Sequence, residues 1–381
     1  MSRKHKIAFL FLDEIHHLYH FISVAVALSE KHDVSILTYP AKHKLLYNTL
    51  KKLKGEKVKV EQLKTNWFRA LTDKVKNRTL PRKGFWIKKN MHHLLNDFDA
   101  VVFTDFYHHK LLKARKNNVF PKLINIMHGA PGRAYSYKKD LLDFDFQILF
   151  GDFHKKQLEE QKVLVESYSI VGYSKFDVVN LKKKKKFFKN DNTTVLYNPH
   201  FTENVTSWYK NGLEVLEFFY THKEYNLIFA PHVNLFTDKG GENINDIPKK
   251  YFEAKNIKID VGSKKSINMN YVKSADMYLG DVSSQVYEFI INPRPCIFIN
   301  SHKVVYQDDL NYRFWQCGEV IENISELSEA ISSSKEKFES VYRDKQTEIS
   351  NENFYTDEDS TASERAAQAI SKYLDNVSET K

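Results

Sequence analysis

The sequence is poor in cysteine and glycine and has no long apolar run. Two cysteines, Cys296 and Cys317, exclude a disulfide framework or a cysteine-based metal cluster. Every apolar run stays well below the ~18 residues that a membrane-spanning helix needs, which excludes an integral membrane protein. The apolar stretch near the N-terminus ends at Leu12 and is followed by Asp13. It is too short for a signal peptide, so we expect a cytoplasmic protein.

Several common nucleotide and metal motifs are also missing. There is no glycine-rich dinucleotide fingerprint, no Walker loop and no Gly-x-Ser-x-Gly nucleophile elbow. Two acidic pairs, Asp97 with Asp99 and Asp143 with Asp145, precede predicted strands, so we expect them at the end of the sheet opposite a ligand site. No histidine has the spacing of a zinc site. We therefore expect neither a metal nor a cofactor.

The charge balance is basic and unevenly spread over the 381 residues. Lys and Arg number 58 against 48 Asp and Glu, a net charge of +10. Residues 42–89 hold 16 Lys/Arg and 3 Asp/Glu, interleaved with Trp67, Phe68, Phe85 and Trp86. Two interpretations stay open for this segment: a solvated helical face, or a surface that binds anionic lipid or an anionic polymer. On an anionic membrane, those aromatics would lie at the interface. We expect no nucleic-acid partner.

Short apolar strands alternate with helical stretches along most of the chain, which indicates parallel sheets covered on both faces. The fold class is therefore α/β, with two doubly wound Rossmann-like lobes and ligands in the cleft between them. We place an N-terminal acceptor lobe at 1–180, with a basic insertion at about 41–90. A lysine-rich linker follows at 181–192, then a C-terminal nucleotide-donor lobe at 193–345 and a helical tail at 346–381.

Three predicted strands end in histidine. His128 follows the apolar stretch 123–127 and precedes Gly129 and a Gly/Pro loop with Arg133. His200 and His232 each follow an apolar strand and a proline. Because ligands bind at the carboxyl ends of parallel strands, His128 is a candidate proton acceptor for a hydroxyl nucleophile. A structural histidine in a tight turn is the alternative.

A fourth signal is the stretch Gly280-Asp281-Val282-Ser283-Ser284, where a strand ends and a helix is predicted to begin at Ser283. Free N–H groups at a helix start, together with two hydroxyls, make a natural phosphate site. Asp281 repels phosphate, so we expect it to cap the helix or to position His232 or a ribose hydroxyl.

These signals, in this order, resemble the CDP-glycerol/CDP-ribitol glycerophosphotransferase family, which includes teichoic-acid polymerases and has a two-lobed GT-B fold. The matching segments are His128-Gly129-Ala130-Pro131, Gly172-Tyr173-Ser174-Lys175-Phe176-Asp177, Tyr197-Asn198-Pro199, His232, Asp281-Val282-Ser283-Ser284 and Asn292-Pro293-Arg294-Pro295. The chain departs from the family pattern at four places. Met127 stands where the family has Trp, Val233 where it has Pro, and Val282 where it has Tyr. The stretch His200-Phe201-Thr202 lacks the Arg that the family has there.

The resemblance implies a transferase that moves glycerol or ribitol phosphate from a CDP-activated donor to a lipid-linked or polymeric glycan acceptor, releasing CMP. His128 and His232 are the implied catalytic residues. The implied donor-binding residues are Gly129, Arg133, Asn198, His200, Asp281, Ser283 and Ser284. The enzyme would work at the inner face of the bacterial cell membrane, in teichoic-acid or capsule synthesis.

Other functions stay open at this point. The first alternative is a GT-B glycosyltransferase that moves a sugar from a nucleotide sugar in capsule or lipopolysaccharide synthesis. A nucleotide-sugar epimerase of the same fold and a non-enzymatic binding protein are the others. The identity of the released nucleotide distinguishes the transferases.

Overall fold

The computed structural model describes residues 3–13, 15–76, 78, 80–116, 119–130, 137–179 and 184–379. Of these, residues 3–129, 137–178 and 354–379 form one compact unit, the first lobe, and the remaining ones form the second lobe. Of the predicted linker, residues 181–183 lie outside the described residues, and residues 184–192 contain neither helix nor strand.

The first lobe is built on a parallel sheet of seven strands in the order β3-β2-β1-β4-β5-β6-β7. Its central strands are almost continuously apolar and buried on both faces, as expected for a parallel sheet covered by helices. The strands are Lys6–Phe11 (β1), Asp33–Thr38 (β2), Lys59–Gln62 (β3), Ala100–Phe103 (β4), Lys122–Ile126 (β5), Phe146–Leu149 (β6) and Tyr168–Ile170 (β7).

Helices follow most of these strands. They are Ile22–Ser29 (α1), Lys44–Lys52 (α2), Trp67–Val75 (α3), Lys83–Lys89 (α4), Met91–Asn96 (α5), His109–Arg115 (α6), Asp152–Glu160 (α7) and Lys175–Val178 (α8). Two 3₁₀ helices, Ile15–His20 and Lys139–Asp143, also lie in this lobe.

The segment predicted as a basic insertion contributes to the body of the first lobe. Its β3 pairs with β2 at the edge of the sheet. Trp86, expected at a membrane interface, is instead fully buried in the apolar core, and its indole N–H donates to the carbonyl of Leu63 at 2.7 Å. Phe85 is half-buried beneath the cations of Arg69 and Lys110. The interface prediction is therefore wrong for Trp86.

The second lobe repeats the plan with six parallel strands in the order β10-β9-β8-β11-β12-β13. The strands are Thr194–Asn198 (β8), Asn226–Phe229 (β9), Ile257–Ile259 (β10), Met277–Gly280 (β11), Cys296–Ile299 (β12) and Glu319–Ile321 (β13). The helices are Trp208–Thr221 (α9), Lys249–Glu253 (α10), Lys264–Ile267 (α11), Asn270–Ser274 (α12), Gln285–Ile290 (α13), Leu327–Lys337 (α14) and Arg343–Asn353 (α15). The helix predicted to begin at Ser283 thus begins at Gln285. The predicted α/β class with two doubly wound parallel sheets is confirmed.

The last helix, Ala362–Glu379 (α16), packs against α1 in the first lobe. Asp177 accepts hydrogen bonds from the backbone N–H and the hydroxyl of Ser363 at 2.7 and 2.5 Å. Gly172 has φ +91, and a Cβ there would lie 2.3 Å from the carbonyl oxygen of Tyr355. Gly172 and Asp177 therefore hold the tail on this lobe. Among the described residues, no helix combines the length and apolarity required to cross a bilayer.

Candidate functional site

Both sheets change winding direction next to their first strand, between β1 and β4 and between β8 and β11. In open parallel sheets, ligands bind outside the carboxyl ends of the strands at this point. In the first lobe, the polar residues that follow β1, β4 and β5 are Asp13, Thr104, Asp105 and His128. In the second lobe, those that follow β8, β9 and β11 are His200, His232, Asp281 and Ser283.

His128 follows β5 and is half-buried. Its Nδ1 lies 2.6 Å from the carbonyl oxygen of Thr104, which follows β4. A carbonyl oxygen only accepts, so Nδ1 carries the proton and the neutral ring keeps its lone pair on Nε2. This is the tautomer that a general base acting through Nε2 requires. Gly129, with φ +82, allows the chain to turn directly after the ring.

Two further histidines from the 3₁₀ turn after β1 surround His128. The ring centroid of His17 lies 3.8 Å from that of His128, and the ring centroid of His16 lies 6.0 Å from it. Nδ1 of His17 is 3.1 Å from the hydroxyl oxygen of Thr104. Burial lowers the pKa of His17 well below its ordinary value, and the neighbouring imidazoles lower it further. His17 is therefore neutral near pH 7.

A partly buried charge network lies beside this histidine cluster. Lys83, from α4, contacts the carboxylate of Asp13, and its Nζ lies 3.0 Å from Asp105. The hydroxyl of Tyr107 donates to Asp13 at 3.0 Å. Burial alone would lower the pKa of Lys83, but the two carboxylates outweigh it and raise that pKa. The ammonium group therefore stays charged and bridges the ends of β1 and β4.

The second-lobe histidines are hydrogen-bonded in the opposite sense. Nδ1 of His200 accepts a hydrogen bond from the backbone N–H of Thr202 at 3.0 Å, and Nδ1 of His232 accepts one from the backbone N–H of Asn234 at 3.2 Å. Their neutral rings therefore carry the proton on Nε2. The two ring centroids are 5.3 Å apart. This pair is suited to donate hydrogen bonds to anionic oxygens.

Asn198 and Ser283 are tied to each other. The hydroxyl of Ser283 donates to Oδ1 of Asn198 at 2.9 Å, and Nδ2 of Asn198 donates to the carbonyl of Ala230 at 2.6 Å. Asn198 is only 2% exposed. Asn198 therefore holds the ends of β8, β9 and β11 together, and its predicted role in donor binding stays a prediction. Ser284 is half-buried at the start of α13, whose six residues provide only a small helix dipole.

Asp281 is buried and serves the protein's own backbone. Its carboxylate accepts hydrogen bonds from the N–H groups of His200, Val282 and Ser207 at 2.9, 2.6 and 2.5 Å. The hydroxyl of Ser207 adds a fourth at 2.8 Å. Burial raises the pKa of Asp281, while these donors oppose the rise. Asp281 therefore caps α9, not α13, and fixes the loop that carries His200.

The predicted site residues thus fall into two sets. His128 and Gly129 lie in the first lobe, while Asn198, His200, His232, Asp281, Ser283 and Ser284 meet in the second. Arg133 lies outside the described residues. Sequence reasoning missed Thr104, which positions His128, and Ser207, which binds Asp281. Thr104 could have been noticed as a polar residue that directly follows a buried strand.

The sequence model of one family matches more than half of the chain. Residues 156–372 match CDP-Glycerol:Poly(glycerophosphate) glycerophosphotransferase. The match includes the whole second-lobe site and ends before the tail does. No curated protein matches the chain in sequence.

Many solved structures share the fold. The chain is similar to MnaA of S. aureus in complex with UDP, with a TM-score of 0.62, 15% identity and 97% of each chain covered. It is similar to UGT73P12 of Glycyrrhiza uralensis, with a TM-score of 0.63, 12% identity and coverage of 99% of this chain and 97% of that one. It is also similar to the wall teichoic acid polymerase TagF, in a His-to-Asn variant with CDPG, with a TM-score of 0.60, 15% identity and coverage of 100% and 90%. The architecture is therefore GT-B.

Proposed function

Because the chain belongs to the CDP-Glycerol:Poly(glycerophosphate) glycerophosphotransferase family and is a transferase of that kind, we propose that its strand-end histidines divide the chemistry between the two lobes. The supporting observation is the contrast in hydrogen bonding. His128 donates through Nδ1, whereas His200 and His232 accept through Nδ1. The first lobe provides the proton acceptor, and the second provides donors for phosphate.

The reaction begins at the acceptor hydroxyl. Nε2 of His128 accepts its proton as the hydroxyl oxygen attacks the β-phosphorus of the CDP-activated polyol. A new P–O bond forms, the bond between that phosphorus and the bridging oxygen breaks, and CMP leaves with the bridging oxygen. A positioned base of this kind contributes roughly 10²–10⁴ to the rate.

The second lobe holds the diphosphate of the donor. The Nε2–H groups of His200 and His232 donate to its oxygens, and the hydroxyl of Ser284 is a third donor. Charge-assisted hydrogen bonds to phosphate are roughly twice as strong as neutral ones. These groups also stabilise the charge on departing CMP. Asp281 and Asn198 act indirectly, by fixing the loops that carry these donors.

A donor panel tests this function. The full-length protein is incubated with CDP-glycerol, CDP-ribitol and UDP-sugars and an acceptor of the teichoic-acid type, and released CMP, UMP and UDP are measured. We expect CMP from a CDP-polyol only. Release of UDP from a UDP-sugar, with no CMP, would contradict the proposal and indicate a glycosyltransferase.

We further propose that the acceptor is a lipid-linked or polymeric glycan of teichoic-acid or capsule synthesis, and that the protein attaches to the anionic inner face of the cell membrane through α3. Trp67, Leu71 and Val75 are four residues apart and are 79%, 53% and 76% exposed, and Phe68 beside them is 53% exposed. This apolar face lies within the 42–89 segment, where the excess of 16 Lys/Arg over 3 Asp/Glu attracts anionic lipid.

Sedimentation with vesicles tests the attachment. We expect binding to anionic vesicles that weakens at high salt, since surface charges are screened there. Trp67→Ser combined with Leu71→Ser should weaken binding about tenfold or more, because each removes exposed apolar area that the membrane would bury. Val305→Ser is the matched control, since Val305 is an 88% exposed apolar residue in the second lobe. Equal binding to neutral vesicles would contradict the attachment.

A further inference from the structure

Three imidazoles converge at the carboxyl edge of the first sheet. His16 and His17 lie on the 3₁₀ turn after β1, and His128 follows β5. One ligand nitrogen from each ring lies within 4.8 Å of the corresponding atoms of the other two. Sequence spacing could not show this cluster, because more than a hundred residues separate His128 from the other two.

Thr104 orients two of these rings at once. Its carbonyl accepts from Nδ1 of His128 at 2.6 Å, and its hydroxyl lies 3.1 Å from Nδ1 of His17. Histidines that bind metals almost always engage their second ring nitrogen in such a hydrogen bond, which fixes the ring and its tautomer. Thr104 therefore engages Nδ1 of both rings, so a metal held by either ring would bind at Nε2.

We propose that His16, His17 and His128 form a binding site for a divalent transition cation such as Zn²⁺, with the fourth position open to water. Imidazole nitrogens suit Zn²⁺, Co²⁺ and Ni²⁺, and three histidines with one open position are a common zinc arrangement. The carboxylates of Asp13 and Asp105 outnumber the ammonium of Lys83 beside the cluster, which favours a cation there.

A second cluster in the same lobe, His108 with His109 and Asp143, is less suited to a metal. Nε2 of His108 is already 2.9 Å from Asp143. Its buried Nδ1 has no hydrogen-bond partner among the described residues, so the supporting contact that Thr104 gives the other cluster is missing. This second cluster serves as the comparison site in the test.

Cobalt titration of the full-length protein without substrate tests the site. We expect the visible absorption of four-coordinate Co²⁺. His17→Gln should weaken binding by a hundredfold or so through loss of a ligand, and Thr104→Val should weaken it about tenfold through loss of the supporting hydroxyl. His92→Gln, at an exposed histidine of α5, should change nothing. Absence of the spectrum, or its loss in His109→Gln instead of His17→Gln, would overturn the proposal.

The consequence for catalysis rests on the proposed function of His128. A cation on Nε2 prevents that nitrogen from accepting a proton, so Zn²⁺ should inhibit CMP release roughly 10²-fold or more. Because Thr104→Val weakens metal binding about tenfold, it should raise the inhibiting concentration of Zn²⁺ by about the same factor. Cobalt binding without zinc inhibition would overturn the assignment of His128 as a ligand. Absence of CMP release from the metal-free enzyme would refute the proposed function alone, because the spectrum is measured without substrate.

Discussion

The first-lobe and second-lobe sites place histidines at equivalent positions, just beyond the ends of parallel strands, but give them different partners. His128 is bonded through Nδ1 to a backbone carbonyl of the neighbouring strand end. His200 and His232 are bonded through Nδ1 to backbone N–H groups two residues further along their own loops. The first arrangement leaves a lone pair on Nε2, and the second leaves a proton there.

This difference shows that the local backbone, and not the residue type, decides what each histidine can do. A carbonyl partner prepares a proton acceptor, while an amide partner prepares a hydrogen-bond donor. Glutamine at His128 or His232 separates the two roles, because its side-chain amide can place an N–H near the position of Nε2 but cannot accept a proton at neutral pH.

The largest effect is expected at His128. His128→Gln should reduce the transfer rate roughly 10²–10⁴-fold, since the base is lost, while donor affinity stays within about tenfold. CMP release and calorimetry with CDP-glycerol measure the two quantities. Near-normal turnover would move the base to another group, with His16 as the next candidate.

A smaller effect is expected at His232. His232→Ala should weaken donor binding about ten- to a hundredfold, because a hydrogen bond to a charged group contributes roughly 1.5–3 kcal/mol. His232→Gln should recover part of that loss by supplying an N–H near the same place. If His232→Gln binds the donor no better than His232→Ala, the proposed role of His232 as a hydrogen-bond donor is wrong.

A substitution of Asp281 tests whether this residue stabilises the second lobe or binds the donor. Asp281→Asn should lower the free energy of unfolding by about 2 kcal/mol, since an amide cannot accept all four hydrogen bonds that the carboxylate accepts. Urea unfolding measures the loss. Asp308→Asn, at an exposed aspartate of the same lobe, is the control and should change stability by less than about 0.5 kcal/mol. Unchanged stability together with lost donor affinity would instead place Asp281 on the ligand.

A buried histidine of the first lobe should make the protein less stable in mild acid. Burial lowers the pKa of His154 to about 3 from an ordinary 6.5, so between those values the unfolded chain binds more protons and stability falls as the pH falls. One such group costs about 1.4 kcal/mol between pH of about 7.5 and 5.5. His154→Gln should remove that part of the pH dependence, measured by urea unfolding at both pH values. An unchanged slope would contradict this account, because it would show that His154 binds protons equally in the folded and unfolded states.

Strands could be predicted where both of their faces are buried, because such strands are continuous apolar runs in the sequence. The apolar runs at 34–37, 100–103 and 296–299 each lie in a strand. The strand β3, with the sequence Lys-Val-Glu-Gln, has no such run, because it lies at the edge of the sheet, is half exposed and carries charges. Trp86 was misplaced because its surroundings in sequence are cationic, and only the folded chain shows that its helix covers the sheet.

Part of the site could also be predicted, because apolar runs show where the buried strands end. Strand ends rich in proline and glycine identified His128, His200 and His232. The tautomer of His128 could not be predicted, because the carbonyl that orients its ring is 24 residues away in sequence, at the end of another strand. Likewise, Ser207 is 74 residues from the Asp281 carboxylate that it contacts. Spacing along the chain carries no information about such pairs.

The tautomers themselves give the most direct test. Proton–nitrogen correlation spectra of the full-length protein, with ¹⁵N-labelled histidine and above neutral pH, report which ring nitrogen carries the proton. His→Gln variants assign each signal. We predict the Nδ1–H form for His128 and the Nε2–H form for His200 and His232. The same tautomer in all three rings would contradict the division of roles between the lobes.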